Sequence, residues 1–225
     1  MIDRWLTRET LLVLAANALP LAGALVGQWD AFTLVLFYWL ETAVFGFWIV
    51  LRVATTKGEL IRGMRDQSGA PVQGGPGAGL FVLAHAGIFM GVHLLFLWTL
   101  FAGHWEQEFS GPLAFIEHVF FTQGLWLPLA GLFILRGLNS GMFARDGHGP
   151  EREVIGFYLR IVIMQGTILI GAWFALLLGS LGALIMLSVL KTAAELFSAS
   201  LVGRTEEALE RAAAEQEARK RGPRR

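Results

Sequence analysis

Long apolar runs alternate with short polar stretches along almost the whole chain. A run of about 20 apolar residues is long enough for a helix to cross the hydrocarbon core of a bilayer. The runs predict helices at residues 9–27, 30–53, 80–102, 112–136, 154–178 and 181–202. A polar segment, residues 203–225, follows them as a helical or disordered tail. The pattern therefore predicts an all-α fold, a polytopic transmembrane bundle of about six helices within residues 1–202.

The second run is the one around which we expect the bundle to be organised. It is almost wholly apolar, yet it carries a carboxylate, Glu41, near its middle. A charged group at that depth costs about 2.5–3.5 kcal/mol on insertion scales, so it is normally paired, protonated or in functional use. Any function of this chain is therefore expected near Glu41.

The first run has two interpretations. Arg4 and Arg8 precede it and the small residues 22–24 lie near its end, a pattern that resembles a cleavable signal peptide. Acidic residues dilute its basic start, however, and Asn17 and Pro20 interrupt the apolar run. A retained helix is therefore favoured. Cleavage would leave five helices in the same orientation.

Glycine and proline interrupt the pattern at two further places. Gly124 and Pro128 weaken the fourth run and predict a kink there. The polar stretch between the second and third runs contains the Gly/Pro-rich tract 69–79. Such a composition is typical of a flexible loop, so we expect a loop with no core of its own.

Basic residues lie on one side of the predicted membrane. With six helices and a cytoplasmic N-terminus, the outer segments are residues 28–30, 103–111 and 179–180, and they contain no Lys or Arg. Apart from Lys191, the basic residues lie in cytoplasmic segments or close to the cytoplasmic end of a helix. Cytoplasmic loops of membrane proteins carry this excess of positive charge. The sequence therefore predicts a multi-pass protein of the cytoplasmic (inner) membrane with both termini in the cytoplasm.

Composition narrows the function classes further. Hydrophobic residues make up 55% of the chain and charged residues 16%, against about 25% charged in soluble domains. Cysteine is absent, which excludes disulfides and thiolate nucleophiles. The sequence also lacks the P-loop, the dinucleotide-binding fingerprint, the zinc-protease helix motif and the serine-hydrolase elbow. No cofactor is indicated.

The expected partners are lipids and other copies of the chain, and no nucleic acid. The tail ends in a basic cluster that either contacts anionic lipid or is a solvated end that helps to fix topology. Small residues four apart, as at Gly87 and Gly91 or at Gly23 and Gly27, let helix backbones approach closely. They allow packing within the bundle and self-association.

Several polar residues are predicted at membrane depth. Counting from the helix ends places one group near the midplane: Asn17, Glu41, His93, Gln165 and Lys191. A second group lies about two turns from the cytoplasmic side: His85, Arg160 and Glu195. Glu117 and His118 lie nearer the outer face. Helices that turned these groups inward would share one polar core.

The charges in this predicted core suggest pairing. Lys191 and Glu195 are four residues apart on one helix face, but Lys before Glu is the weaker order for such a pair. A contact between Lys191 and Glu41 of another helix is at least as plausible. Tyr38 shares a helix face with Glu41 and is placed to hydrogen-bond its partner. The network has either a structural role or a role in binding a substrate, proton or ion.

The two histidines of the third helix are too far apart to share one ion. His85 and His93 are eight residues apart, which separates their Cα atoms by about 12 Å along the helix axis. A metal–imidazole bond is only about 2.0–2.1 Å long. A single metal would instead need one of these histidines together with Glu41 and His118. A hydrogen-bonded core role is favoured for each histidine over proton relay or metal ligation.

Two short motifs and a lysine carry a family resemblance. The second helix contains W-x2-F-x5-YW-x-E, and the third contains H-x3-F-x3-H. Together with the mid-helix Lys191, they resemble a family of bacterial and archaeal membrane proteins that is known only as a domain of unknown function. The resemblance implies a polytopic bundle of this size. It carries no activity, substrate or catalytic residue.

Three functions are compatible with this pattern. The leading hypothesis is a small transporter or proton-linked permeation protein, with Glu41, His93 and Lys191 along the path and Glu41→Gln abolishing flux without loss of folding. The second is a metal-assisted intramembrane enzyme that acts on lipid or hydrolyses a substrate. The third is a non-catalytic bundle that assembles with partners and tolerates joint neutralisation of Glu41 and Lys191.

Overall fold

The structure is a computed structural model that describes residues 29–56, 60–65, 68–103, 108–139, 153–171, 173 and 186–193. The predicted first helix, most of the predicted sixth helix and the basic tail lie outside these residues. So do two candidate residues, Asn17 and Glu195. The fold of the described residues is all-helical apart from one short two-stranded ribbon, as the apolar pattern predicted.

The elements follow one another as α1, the ribbon, and then α2 to α6. Their bounds are α1 Ala31–Thr55, β1 Leu60–Arg65, β2 Pro71–Gln73, α2 Pro76–Phe101, α3 Pro112–Glu117, α4 Trp126–Asn139, α5 Glu153–Gly171 and α6 at residues 186–193. Among these residues, α1, α2 and α5 are long and apolar enough to cross a membrane, and the bent pair α3–α4 would make a fourth span. These helices are consistent with a membrane protein. The number of six crossings stays a prediction.

The helix starts follow from local sequence. Asp30 is the N-cap of α1, and its carboxylate accepts a hydrogen bond from the backbone N–H of Thr33 at 2.7 Å. Pro76 and Pro112 occupy the first positions of α2 and α3. Proline suits that position because its fixed φ is helical and its missing N–H would have no partner in the first turn.

Helix α1 lies at the centre of the described bundle. Seven consecutive residues, 32–38, are buried, so other parts of the chain cover this half of the helix on all sides. Three tryptophan indoles, one just before α1 and two within it, donate hydrogen bonds to backbone carbonyls elsewhere: Trp29 to Gln123 at 3.1 Å, Trp39 to Met90 at 2.9 Å and Trp48 to Phe133 at 3.0 Å. These bonds attach three other parts of the chain to α1 and its N-terminal end: the turn at Gln123, helix α2 and helix α4.

The neighbours of α1 alternate in direction. Helix α2 runs antiparallel to it, because Trp39 bonds to Met90 whereas Phe32, nearer the start of α1, meets Trp98. Helix α5 is also antiparallel, because its first residue, Glu153, pairs with Arg52 near the end of α1. Helices α4 and α6 run parallel to α1. Consecutive crossings of a membrane produce this alternation, so the packing is compatible with the predicted topology.

The predicted kink of the fourth run is confirmed at Gly124. The segment continues beyond α3 as a π-helix, His118–Thr122, and then turns by 79° into α4. Gly124 has a φ of 72°, which glycine adopts without steric cost. Pro128 causes no break, because it lies in the first turn of α4, where a backbone N–H has no helical partner.

The prediction of a structureless loop after α1 is wrong in part. Strand β1 pairs antiparallel with β2, and the register is irregular between Ile61 and Arg65. The side chain of Ile61 is fully buried, and the N–H of Gly75 donates to the carbonyl of Val53 at the end of α1. The tract is short and rich in glycine and proline, so it lacks the alternating pattern that predicts strands. One buried isoleucine and the return to α1 stabilise the ribbon.

Some small residues allow close packing and others do not. A Cβ atom on Gly79 of α2 would lie 2.6 Å from the Cβ of Ala54, and one on Gly46 would lie 2.6 Å from the ring of Phe157. At Gly87 and Gly91, no described atom lies within 4 Å of such a Cβ. This pair therefore does not mediate helix contact within the described bundle, contrary to the packing that its spacing suggested. Its role in self-association stays a prediction.

Alanine substitutions in α2 test this packing. We expect Gly79→Ala to destabilise the protein by about 1–3 kcal/mol, because the added methyl overlaps both the Cβ and the backbone of Ala54. The matched change Gly87→Ala meets open space and should be neutral or slightly stabilising, since alanine is the better helix former. Thermal unfolding of the detergent-solubilised protein, followed by circular dichroism, measures both. Equal melting temperatures for the two variants would contradict the α1–α2 packing.

Candidate functional site

One face of α1 carries the side chains that form the site. Tyr38, Glu41 and Phe45 are three and four residues apart, a spacing that aligns side chains on one helix face. Tyr38 and Glu41 are both buried. Glu41 is ten residues from the start of α1, about 15 Å along the helix axis. The carboxylate therefore lies near the middle of α1, at the centre of the described bundle.

Three cations from three other helices surround the Glu41 carboxylate. Nζ of Lys191, on α6, lies 2.9 Å from Oε2, and a guanidinium nitrogen of Arg160, on α5, lies 2.9 Å from Oε1. The guanidinium of Arg136, on α4, lies 3.8 Å from Oε1. The predicted contact between Glu41 and Lys191 is confirmed. One carboxylate thus connects α1 to three neighbouring helices.

Because this cluster is buried, the pairing of its charges has a large effect on stability. The side chain of Glu41 is only 3% exposed, and isolated charges in such a medium are strongly destabilised. Opposite charges within 4 Å attract far more strongly there than in water. Glu41 and its cations therefore depend on one another. Removing one member leaves the others with incomplete charge compensation.

Aromatic rings on α1 support the cations from a second side. The guanidinium groups of Arg136 and Arg160 lie 5.0 and 5.4 Å from the ring centre of Phe45. Nζ of Lys191 lies 4.4 Å from the ring centre of Tyr38. The negative face of an aromatic ring attracts a cation at this range. Each cation is therefore placed by Glu41 together with one ring from the same face of α1.

The cluster becomes more exposed in one direction. Glu41 is 3% exposed, Lys191 9%, Arg160 17% and Arg136 32%. Arg136 lies near the end of α4 that faces the Thr55 end of α1. The exposed fraction therefore increases from the carboxylate toward the Thr55 end of the bundle.

The opposite side of the cluster is closed. The hydroxyl groups of Tyr38 and Ser188 lie 3.3 Å apart in a buried contact. Beyond them toward the Asp30 end, residues 32–37 of α1 are all buried, and all but Thr33 are apolar. Polar groups near Glu41 are thus separated from the Asp30 end by about two turns of packed, mainly apolar side chains.

Sequence reasoning predicted part of this cluster. It identified Glu41, Lys191, Arg160 and Tyr38, and the structure brings these four together. It missed Arg136, because a basic residue at the end of an apolar run normally marks a membrane boundary. The bend at Gly124 and the parallel packing of α4 bring that residue to Glu41. Phe45 and Ser188 were also missed, and the helical spacing from Glu41 and Lys191 was the signal that could have found them.

The histidines belong to other places in the fold. His93 is buried in α2, where Nδ1 contacts the carbonyl of Phe89 and Nε2 has no partner among the described residues. His85 lies 2.9 Å from the hydroxyl of Tyr158 on α5. His118, in the π-helix, contacts Gln123 at 3.3 Å. None of the three appears among the contacts found for Glu41 in the part of the chain described here.

The weak metal site predicted from Glu41, His93 and His118 is not assembled. Within the described ranges, no group of three or more histidine, aspartate or glutamate side chains is close enough to hold a metal ion. A zinc site needs about three or four such ligands at bonding distance. The residues around Glu41 are instead cationic. A lysine and two arginines make poor ligands for a metal cation.

We expect Glu41 to contribute far more to stability than Glu153, a glutamate at the start of α5. We expect Glu41→Gln to lower the free energy of unfolding by about 3–5 kcal/mol, because three cations lose a buried counter-ion. Glu153→Gln, which removes the partner of Arg52, should cost about 1 kcal/mol or less, because Glu153 is far more exposed. Unfolding by sodium dodecyl sulfate in mixed micelles measures the difference. Equal losses would contradict the central role of Glu41.

The aromatic support of the cations can be tested separately. Phe45→Leu removes the ring beneath two arginines, whereas Phe47→Leu removes a ring that packs against the rings of Trp48 and Phe133. Each lost cation–ring contact is worth about 0.5–2 kcal/mol. We therefore expect Phe45→Leu to lower the melting temperature measurably more than Phe47→Leu. The reverse order would show that the rings do not position the cations.

Comparison with known proteins gives a family but no activity. No curated protein matches the chain, and no solved structure matches it. Residues 3–222 match a family model described as a family of unknown function, DUF6498. The match covers almost the entire sequence and confirms the resemblance to a domain of unknown function. The chain belongs to the DUF6498 family of unknown function.

Proposed function

We propose that this protein is a small membrane transporter whose substrate path passes the Glu41 cluster. The observation that carries the proposal is the binding of one carboxylate, midway along the central helix, by cations from three other helices. Ionisable groups within candidate membrane spans are rare, because each is costly to bury. They are found mainly where a protein moves or binds charged species.

A purely structural role explains the cluster less well. Replacing a buried ion pair by apolar side chains of similar size is often neutral or stabilising, so ion pairs are an inefficient way to hold helices together. Here Glu41 belongs to α1, and its cations belong to three other helices, α4, α5 and α6, each of which contacts it separately. A small movement of any one helix changes its distance to the carboxylate. Such a site can respond to a substrate by rearrangement of its helices.

The gradient of exposure supports a directional path. Basic residues predict that the Thr55 end of α1 faces the cytoplasm, and exposure of the cluster increases toward that end. The buried segment 32–37 then separates the cluster from the outer side. We infer that the cluster is reached from the cytoplasm in this conformation. Transport would require the segment near the Asp30 end to open.

A second function, a non-catalytic bundle, is favoured by one observation. Glu41 links four helices, which is also what a structural network would do. Such a network tolerates joint removal of opposite charges, because no uncompensated partner remains at that pair. Among the described residues, no group of ligands favours the metal-dependent enzyme.

Flux through reconstituted protein tests the transport proposal. We expect liposomes containing the wild-type chain to take up at least one of four probes: labelled phosphate, labelled succinate, labelled glycine, or protons reported by a trapped pH dye. The double variant Glu41→Gln/Lys191→Met should lose most of this flux. It removes one charge of each sign, so its folding is better preserved than that of Glu41→Gln alone, for which the three cation contacts now predict instability.

The outcome separates the two functions. Glu153→Gln is the matched control, because it neutralises a carboxylate outside the cluster and should leave flux unchanged. Circular dichroism of the reconstituted samples confirms that each variant is folded. Flux of every probe at the same level in the folded double variant and the wild type would reject transport through this site and favour the structural bundle.

A further inference from the structure

We propose that the substrate of the Glu41 site is an anion carrying a carboxylate or phosphate group, and that it exchanges with the Glu41 carboxylate for the same cations. This inference rests on the transport function proposed above and adds the chemical class of the substrate. Both oxygens of Glu41 already show how such a group is bound. Oε2 lies 2.9 Å from Lys191 and Oε1 lies 2.9 Å from Arg160.

The donors around Glu41 match an oxyanion. A guanidinium presents a planar set of N–H donors that fits carboxylate and phosphate oxygens, and an ammonium adds three donors on a compact charge. Hydrogen bonds between such charged partners are short and strong. Two arginines and one lysine converge on a single carboxylate here. The carboxylate group of Glu41 thus occupies the position that a substrate oxyanion would take.

The flexible side chain of Glu41 allows its carboxylate to give up the cations to an incoming oxyanion. Glu41 is attached to α1 through rotatable side-chain bonds, so the carboxylate can leave its cations without unfolding the helix. Each contact that it gives up, to Lys191, Arg160 or Arg136, is replaced by a contact to the incoming oxyanion. The number of ion pairs is conserved, and no cation has to be without a partner at any stage. Glu41 stays attached to α1, so its displaced carboxylate takes up a proton as it loses its cations and does not remain as an isolated buried charge.

A cationic substrate does not suit the site. It would approach three positive groups within 4 Å of Glu41 and would have to displace all of them to reach the carboxylate. Like charges at such distances in a medium of low dielectric repel strongly. A neutral solute would gain none of the charged contacts that it breaks. An anion that enters together with the proton taken up by Glu41 leaves the net charge of the cluster unchanged.

Arg136 is placed to receive the incoming anion. Its side chain is 32% exposed, the most among the four charged groups, and its guanidinium lies 3.8 Å from Oε1 rather than 2.9 Å. The longer contact is the weaker one, and the Arg160 contact to the same oxygen is not disturbed when it opens. An anion that arrives from the Thr55 end would meet Arg136 first. Arg160 and Lys191 would follow as the Glu41 carboxylate withdraws.

Anion-dependent thermal stability tests the inference without any flux assay. Purified wild-type, Glu41→Gln and Glu153→Gln proteins are titrated with inorganic phosphate and, separately, with acetate, at constant ionic strength in potassium chloride. We expect Glu41→Gln to bind phosphate about 10-fold more tightly than the wild type, because the internal competitor is gone. Glu153→Gln should respond like the wild type, which corrects for the general stabilisation by phosphate. Methylamine hydrochloride, a cationic probe, should have no effect on any of them.

A second pair of variants keeps the test decisive if Glu41→Gln does not fold. In the otherwise wild-type chain, Arg136→Gln should weaken phosphate binding about 10-fold, an effect within the usual range of coupling between neighbouring groups. Arg52→Gln, which also removes an ion-paired arginine, should not change it. Equal phosphate responses in these two variants, or stabilisation by methylamine instead of phosphate, would overturn the anion assignment.

The two proposals fail in different ways. Uptake of glycine or protons by the liposomes with no phosphate or acetate response in the thermal assay would leave transport intact and reject an anionic substrate. A thermal response that follows Glu41 and Arg136, without flux of any probe, would support the anion site and reject transport.

Discussion

The described fold depends on compensation of one buried negative charge. Glu41 lies in the middle of a helix that is surrounded by others, where an isolated carboxylate would be strongly destabilised. Its three cations come from α4, α5 and α6, so the requirement for compensation brings three helices to one point on α1. The aromatic rings of Tyr38 and Phe45 hold the same cations from the same helix face. A single face of α1 therefore determines where its neighbours lie.

Directional polar contacts complete the packing around this point. Helices in lipid gain little from the hydrophobic effect when they associate, because lipid tails are as apolar as leucine side chains. Three tryptophan indoles, two in α1 and one just before it, accordingly donate to backbone carbonyls elsewhere in the bundle, and glycines permit close contact at Gly46 and Gly79. These contacts fix the rotation and the depth of each helix.

The same arrangement accounts for both the stability and the proposed function of the cluster. A carboxylate bound by several cations is a stable internal ion pair, and another oxyanion could take its place if the displaced carboxylate takes up a proton. After this replacement, the cations of the cluster would contact a negative group on a mobile solute instead of the carboxylate on α1. Because three other helices contact this carboxylate, its movement away from their cations would loosen the link between α1 and the rest of the bundle. In the proposed function, substrate binding and helix movement would be coupled through one carboxylate.

The sequence by itself determined the helical class, the central place of the second apolar run and the kink at Gly124, because apolar length, a buried carboxylate and a glycine act locally. It also indicated Glu41, Lys191, Arg160 and Tyr38, since charged and polar groups are conspicuous in apolar runs. Only the tertiary structure decided that Arg136 joins them and that the histidines do not, because crossing angles and helix rotation set those distances. It likewise decided that the Gly/Pro tract forms a strand, since this strand pairs with β1 and the N–H of Gly75 bonds back to the end of α1.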